Sequence, residues 1–157
     1  KPPQSFTISV RGRVTTASNA GVQPEDADTL PPALFLRSTA LTASDDALRD
    51  LAERPSARGG PAAIAERLAE RVGTTIEYRA GVTGSATSAA QALAIGAGVC
   101  QDHTHVLLAC CRARGIPARY VSGYYWGDPS GKEYEANHAW AEVFVGGTGW
   151  KIGRAHV

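Results

Sequence analysis

Apolar residues recur every three or four positions along most of the chain between residues 45 and 114, which is the spacing of a helix face. Ser44 or Asp45 is placed to cap the first helix of this region. Pro61 stands where the first residue of a second helix tolerates proline, and Ser88 opens a short third helix. The pattern therefore predicts three helices before residue 100.

A fourth helix, from Cys100 to about Arg114, is the most clearly marked element. A buried stripe runs along it, and further apolar positions widen the stripe, so we expect a helix that is packed on more than one side. Gly115, in the left-handed conformation, and the proline at 117 should end this helix. The stripe consists of Thr104, Leu107, Leu108 and Cys111, with Val106 and Cys110 beside it.

Strand-like alternation dominates the rest of the chain. Residues 118–126 and 138–145 alternate, with a turn-rich loop at 127–131, and residues 5–14 alternate near the start. Arg119 is expected on a solvated face. Helices followed by an antiparallel meander packed on the central helix predict an α+β fold. In 138–145 the small aliphatic residues should face the core, and the opposite face carries His138, Trp140, Glu142 and Phe144.

Composition and charge place the chain among ordinary globular proteins. Its 157 residues suffice for one domain with a substantial core, and 43% of them are hydrophobic and 20% charged. A net charge of +1 gives no reason to expect nucleic acid or an anionic membrane as partner. No signal peptide or membrane span is visible in the sequence.

The three cysteines lie within twelve residues and do not form the pattern of a disulfide framework. We therefore expect a reducing compartment and a cytoplasmic protein. Cys110 and Cys111, in mid-helix among leucines and alanines, are interpreted as packing residues. Cys100 differs from them, because it follows two glycines within four residues and begins the predicted helix.

Cys100 and His138 are therefore the candidate catalytic residues. Cysteine attacks as the thiolate, and a helix N-terminus offers partial positive charge and free N–H groups to that anion. The backbone N–H of Cys100 would also point at a developing oxyanion, and a neighbouring imidazole completes the activation. His138 enters its strand on the face of large amphipathic side chains, as a residue that lines a cleft should.

Three segments closely resemble the core of bacterial transglutaminase-like proteins. They are Gly-Val-Cys-Gln-Asp at 98–102, the run at 112–124 with Gly-Ile-Pro-Ala-Arg-Tyr-Val-Ser-Gly, and His-Ala-Trp-Ala-Glu-Val at 138–143. The resemblance implies a papain-like, transglutaminase-like core, in which the central helix carries the nucleophile and packs on an antiparallel sheet.

The same resemblance implies an activity. It makes Cys100 the nucleophile and His138 the general base, then acid, of cysteine-dependent acyl transfer or hydrolysis on amide bonds. The expected enzyme is a transglutaminase-like peptidase or amidase that acts on a peptide or protein amide, with hydrolysis as the expected outcome. It implies no cofactor, and the sequence has no acidic cluster for calcium.

One departure from the family concerns the third member of the triad. The family places an aspartate shortly after the tryptophan that matches Trp150, where it orients the imidazole. Arg154 stands at that place here, and 151–157 contain no carboxylate. We interpret 151–157 as a non-native tail on a C-terminally truncated fragment and expect weak or absent catalysis. The other predicted parts are the end of an N-terminal β domain and linker at 1–42 and an incomplete catalytic core at 43–150.

Two alternatives to this function stay open. One is another cysteine acyltransferase of the same fold, similar to the arylamine acetyltransferases, although the motifs above argue against it. The other is a catalytically degenerate module that binds peptides or acts as a scaffold. A metal site is not expected, because His103 and His105 are two residues apart and point to opposite sides of a helix. His103 is expected to be partly exposed, and His105 to pack or join a polar network.

Overall fold

The computed structural model of the chain describes residues 5, 7–9, 12–15, 21–24, 30–53, 59–125 and 136–153. Helices precede the main strands, so the α+β prediction is confirmed. No helix in this part of the chain has both the length and the apolarity to cross a membrane. The elements in order are β1 (Val22–Gln23), a 3-10 helix (Pro32–Leu36), α1 (Asp46–Glu53), α2 (Pro61–Thr75), β2 (Glu77–Tyr78), α3 (Ala89–Ile95), β3 (Ala97–Gly98), α4 (Cys100–Ala113), β4 (Ala118–Tyr125), β5 (Ala136–Val145) and β6 (Gly149–Gly153).

The main sheet has four strands in the order β1-β6-β5-β4. Its strands β4, β5 and β6 form an antiparallel meander, in which Gly123 lies opposite His138. Strands β4 and β5 correspond to the two predicted strands, whereas β6 was not predicted. Strand β1 adds an antiparallel edge, with Val22 opposite Lys151. Strands β2 and β3 form a separate parallel pair of two residues each, directly before α4.

Helix α4 is the centre of the core. Every residue from 102 to 111 is buried, because three helices, α1, α2 and α3, and two strands, β4 and β5, pack against this helix. Ala139, Ala141 and Val143 form the buried face of β5, as the alternation predicted. The expected packing of the central helix on more than one side is confirmed.

The helix boundaries follow local capping chemistry. Asp45 Oδ1 accepts a backbone N–H of the first turn of α1 at 2.8 Å, so Asp45 rather than Ser44 caps this helix. Ser88 and Gln91 form a reciprocal capping box at the start of α3. Gly115 follows α4 with a φ of +68°, the left-handed conformation predicted for it.

The other face of the sheet is held by an ion pair and an aromatic stack. The Arg119 guanidinium lies 2.7 Å from the buried Glu142 carboxylate and 4.2 Å from the centre of a Trp150 ring. Phe35 of the 3-10 helix packs edge-on against Trp150, with ring centres 4.9 Å apart. The expectation of a solvated Arg119 is wrong, because pairing and stacking cover most of its side chain.

The segment before residue 43 takes part in this sheet. Strand β1 and Phe35 both contact the part of the sheet that β6 contributes. The described residues between 5 and 15 lie in no strand and leave Ile8 and Val14 exposed, since an alternating pattern supplies no partner strand by itself. Residues 6, 10 and 11, the loop at 127–131 and position 126 lie outside the described residues. The domain boundaries stay a prediction.

We predict that Gly115→Ala lowers the free energy of unfolding by about 1 kcal/mol, because an L side chain at positive φ is strained. A Cβ at this position meets no atom within 4 Å, so backbone strain alone is measured. Urea unfolding gives the value. Gly146→Ala is the matched control, since Gly146 has open space and no positive φ. Equal losses in the two variants would contradict the assignment.

Candidate active site

Cys100 is the first residue of α4, and hydrogen bonds fix the conformation of the turn that contains it. Val99 before it is extended, with φ −110° and ψ −175°. The buried Asp102 carboxylate reaches back and accepts the backbone N–H of Val99 at 2.8 Å and the Thr83 hydroxyl at 2.6 Å. Because a carboxylate at the third helical position satisfies a free N–H of the helix start, it fixes the direction in which the chain enters α4.

Gly98 is required by this arrangement. A Cβ at position 98 would lie 2.6 Å from both Cβ and Oδ2 of Asp102, closer than real Cβ contacts allow. The backbone at 98 also pairs with β2, since its carbonyl accepts the N–H of Arg79 at 2.8 Å. The glycine before the cysteine thus serves close packing of the Asp102 side chain, rather than an unusual backbone conformation.

Two further side chains anchor the start of α4. Gln101 Nε2 lies 3.4 Å from the carbonyl oxygens of both Gly84 and Ser85. The His103 ring nitrogens lie 3.0 Å from the carbonyl oxygens of Val99 and Ile76. His103 is only 1% exposed, so the expectation of partial exposure is wrong: its ring bridges α4 to the end of α2.

His138 stands near the beginning of β5 and is half-buried. Its ring stacks on Trp140, with ring centres 6.1 Å apart and planes inclined by 30°. Trp140 in turn lies across Gly123, where a Cβ would come within 2.7 Å of the indole. Glycine at position 123 therefore makes room for the indole that supports the imidazole of His138.

Cys100 and His138 lie at the same end of the molecule. Near the C-terminus of α4, Arg112 Nη2 donates to the Ala118 carbonyl at the start of β4 at 2.8 Å. Further along, the rings of His105 and Tyr120 are 5.4 Å apart. Helix and strand thus run antiparallel, and the N-terminus of α4 reaches the end of β4, where β5 begins.

The thiol of Cys100 forms no hydrogen bond within the described residues, so it is not bonded to the His138 imidazole here. His138 lies on the Trp140 face of β5, whereas Tyr120 lies opposite Ala141 on the α4 face. The candidate pair thus lies at one end of the sheet without a direct hydrogen bond. Catalytic hydrogen bonds are often long before substrate binds, so this separation does not exclude a catalytic pair.

Tyr120 is a site residue that sequence analysis missed. Burial raises the pKa of the Tyr120 phenol, and the nearby charges of Cys100 and Asp102 raise it further. Tyr120 is 39% exposed, so part of it remains open to solvent near Cys100. The sequence offered only the strand alternation as a signal for Tyr120. Alternation shows on which face of the sheet a residue lies, but not which helix residues pack near it.

The other two cysteines differ from Cys100. Cys100 is half-buried, whereas Cys110 and Cys111 are fully buried. Burial raises the pKa of the Cys110 thiol to about 12, and burial also raises the pKa of Cys111. The interpretation of these two as packing residues agrees with their positions, and Cys100 is the accessible thiol of the three.

The described residues contain no cluster of three or more potential metal ligands. Position 154, where the family has its aspartate, lies outside the described residues. Of the described acids near the site, Glu142 is paired with Arg119 and Asp102 is tied to the start of α4.

Comparison with known proteins decides the family. The model of the transglutaminase-like superfamily matches residues 49–152, which is most of the chain and includes both candidate catalytic residues. The chain belongs to the transglutaminase-like superfamily. Its papain-like, transglutaminase-like fold agrees with the resemblance that the three motifs carry.

Curated relatives are mycobacterial. Proteins of Mycobacterium tuberculosis and Mycobacterium bovis, named only as uncharacterized, are 43% identical over 83 residues, which is 50% of this chain and 26% of theirs. A Mycobacterium leprae protein is 34% identical over 116 residues, or 71% of this chain and 42% of that protein. The chain thus spans between a quarter and a half of the relatives it matches.

Solved structures of this superfamily have the same fold. A Cytophaga hutchinsonii protein, named as a candidate cysteine protease, matches with a TM-score of 0.68 and 29% identity over 87% of this chain and 46% of that one. The periplasmic domain of TgpA from Pseudomonas aeruginosa, bound to ethylmercury, matches with a TM-score of 0.60 and 26% identity over 79% of this chain and 48% of that one.

We predict that Gly98→Ala destabilises the protein by about 1–3 kcal/mol, because the new methyl group overpacks against Asp102. The displaced carboxylate should also release the start of α4 and slow the modification of Cys100 by iodoacetamide. Urea unfolding and mass spectrometry of the modified peptide measure the two effects. Gly84→Ala, which meets no atom within 4 Å, is the control near the same site. A neutral Gly98→Ala would refute the packing argument.

Stability should also depend on the protonation of His105. Burial lowers the pKa of His105 from its usual 6.5, an effect that the backbone of Thr87 and the charge of Asp102 partly offset. The unfolded chain therefore takes up the proton at higher pH than the folded protein, and stability is lost as pH falls below about 6.5. Between pH 7.5 and 5, the free energy of unfolding should fall more in the wild type than in His105→Gln. Identical pH dependence in both proteins would show that His105 contributes nothing.

Proposed function

We propose that this protein catalyses cysteine-dependent acyl transfer or hydrolysis on amide bonds, with Cys100 as nucleophile and His138 as general base. The observation that carries the proposal is the position of the half-buried Cys100 at the tied start of α4, at the end of the sheet where β5 presents His138. The expected substrate is a peptide or protein amide, as in a transglutaminase-like peptidase.

The chemistry follows from these positions. His138 takes the proton of the Cys100 thiol, sulfur attacks the amide carbonyl carbon, and the electron pair of the C=O bond moves to oxygen. Collapse of this oxyanion breaks the C–N bond, the amine leaves with the proton from His138, and a thioester remains on Cys100. Water or an amine then attacks the thioester by the reverse sequence, and His138 again moves the proton.

The first turn of α4 suits the oxyanion step. The backbone N–H groups of Cys100 and Gln101 have no intrahelical acceptor at the helix start. Neither forms a hydrogen bond within the described residues. Two fixed donors beside the nucleophile match the requirement for stabilising a tetrahedral oxyanion.

The sheet register indicates where an orienting carboxylate belongs. Ala141 lies opposite Gly153 on β6. A strand that continued in this register would place its next residue opposite Trp140, on the same face as His138. An aspartate one residue beyond Gly153 thus suits the third catalytic role, and the sequence has Arg154 there.

A catalytically degenerate binding module is the second candidate, and Arg154 is the observation that favours it. Loss of the orienting carboxylate from a serine triad lowers turnover by about 10⁴-fold. A chain with arginine at that position would retain the fold while catalysing poorly.

Substitution at position 154 tests the proposal. Arg154→Asp should raise hydrolysis of a fluorogenic peptide-amide library by about 10²–10⁴-fold over Arg154→Asn, because only the carboxylate can orient and charge-stabilise the imidazole. Cys100→Ser and His138→Ala, each combined with Arg154→Asp, should return the rate to background. The same library reports hydrolysis by fluorescence and transfer to an added amine by mass.

The two 154 variants are a matched pair of similar size that differ in charge. Equal, background rates in both, with both proteins folded by circular dichroism, would remove the catalytic proposal and leave the binding module. A rate that survives Cys100→Ser would remove Cys100 as the nucleophile.

A further inference from the structure

A groove runs along one stripe of α4 away from Cys100. Its floor is formed by four side chains of α4, which lie on one helix face because they are spaced four, three and four residues apart. The cavity measures about 370 Å³, and Thr39, Thr42 and Tyr120 supply parts of its walls. The floor residues are Gln101, His105, Leu108 and Arg112. The groove therefore begins beside the nucleophile and extends over about 16 Å of helix at 1.5 Å per residue.

Arg112 places a positive charge in this groove. Its guanidinium donates to the Phe35 carbonyl at 3.0 Å, to the Thr42 hydroxyl at 2.7 Å and to the Ala118 carbonyl at 2.8 Å. All these acceptors are neutral, and no carboxylate pairs with Arg112 within the described residues. Burial also lowers the pKa of Arg112, the direction expected for a charge that lacks a counterion.

The guanidinium also has hydrogen-bonding capacity left. Arginine has five N–H donors, and the contacts above occupy Nε–H and one N–H on each terminal nitrogen. One N–H on each terminal nitrogen has no acceptor within the described part of the chain. A guanidinium N–H donates a charge-assisted hydrogen bond to a carboxylate.

We propose, on the basis of the acyl-transfer function above, that this groove is a substrate subsite for a peptide segment whose carboxylate is bound by Arg112. An extended peptide advances about 3.3 Å per residue. Arg112 lies twelve residues along α4 from Cys100, and its long side chain slants back towards the helix start. Twelve residues span about 18 Å of helix, and the side chain reaches back over about 6 Å of it. Roughly 12 Å, or three to four extended residues, therefore separate the carboxylate from the bond that Cys100 attacks. Leu108 and Tyr120 lie along the intervening chain.

A length series of affinity labels tests the subsite without requiring turnover. Bromoacetyl-(Ala)n peptides with n from 1 to 5, as free acids and as carboxamides, modify Cys100, and mass spectrometry gives the rates. The acid-to-amide rate ratio should peak near n = 3, at least fivefold above its value at n = 1. Short acids cannot reach Arg112, and long ones overshoot it.

Matched variants at Thr39 keep the contacts of Arg112 in place. Thr39 is exposed, and its hydroxyl oxygen lies 2.9 Å from the hydroxyl oxygen of Thr42. The Thr42 hydroxyl in turn accepts a hydrogen bond from Arg112. Thr39→Glu should bring the acid-to-amide ratio near one by occupying the guanidinium, whereas Thr39→Gln should retain the peak. Both variants lose the same hydroxyl contact, so they differ only in charge.

The experiment distinguishes failure of the proposed subsite from failure of the proposed function. A ratio that is independent of n and equal in Thr39→Glu and Thr39→Gln would overturn the subsite. If iodoacetamide modifies Cys100 no faster than the unfolded chain, the proposed function fails instead. Bromoacetyl-Ala-Ala-Asp-amide, with its acid on a side chain, shows whether the groove prefers a chain end or an acidic side chain; a preference for either over the neutral peptide supports the carboxylate subsite.

Discussion

Helix α4 is buried along most of its length, and the other elements are arranged around it. Ten consecutive residues, 102–111, are buried. Such a helix needs other elements packed against it, and α1, α2, α3, β4 and β5 supply them. Because its body is fixed in this way, only its two ends lie at the edge of the core, and the first turn is one of them. The half-buried thiol of Cys100 lies in that turn.

The same constraint explains the polar contacts around the helix. A buried helix start must satisfy its free N–H groups within the protein, and Asp102 does so for Val99. At the other end, Arg112 joins α4 to the 3-10 helix and to β4. The paired Arg119 and Glu142 fix the opposite face of the sheet against Trp150. Removing one partner of such a pair would leave an uncompensated buried charge.

Local sequence patterns predicted the four α-helices and the strands β4 and β5, but neither β1 and β6 nor the contacts between elements. The α4 stripe, the Gly115 stop and the buried face of β5 were all predicted, because each depends on periodicity or capping chemistry within one element. The strand-like alternation near Ile8 did not correspond to a strand in the described residues, since alternation cannot show whether a partner strand exists. His103 and Arg119 were misjudged because their burial depends on carbonyls and rings from distant parts of the chain.

The candidate site shows the same division. Cys100 and His138 were predicted from their motifs, and the structure places them at one end of the sheet without a hydrogen bond to the thiol. Tyr120 and Thr83 were missed, because their proximity to Cys100 and Asp102 arises only when β4 and the 81–88 segment pack on α4. The roles of Gly98 and Gly123 likewise could not be predicted, because each glycine makes room for the side chain of a residue that is not adjacent in sequence.

The central claim is that Cys100 is a nucleophile activated by His138. The most direct test is the second-order rate of Cys100 modification by iodoacetamide at pH 7, measured in the native chain, in the urea-unfolded chain and in His138→Ala. We expect a native rate at least tenfold above the unfolded one and a fall towards the unfolded rate in His138→Ala. A native rate that equals the unfolded one, or that is unchanged in His138→Ala, would contradict this claim.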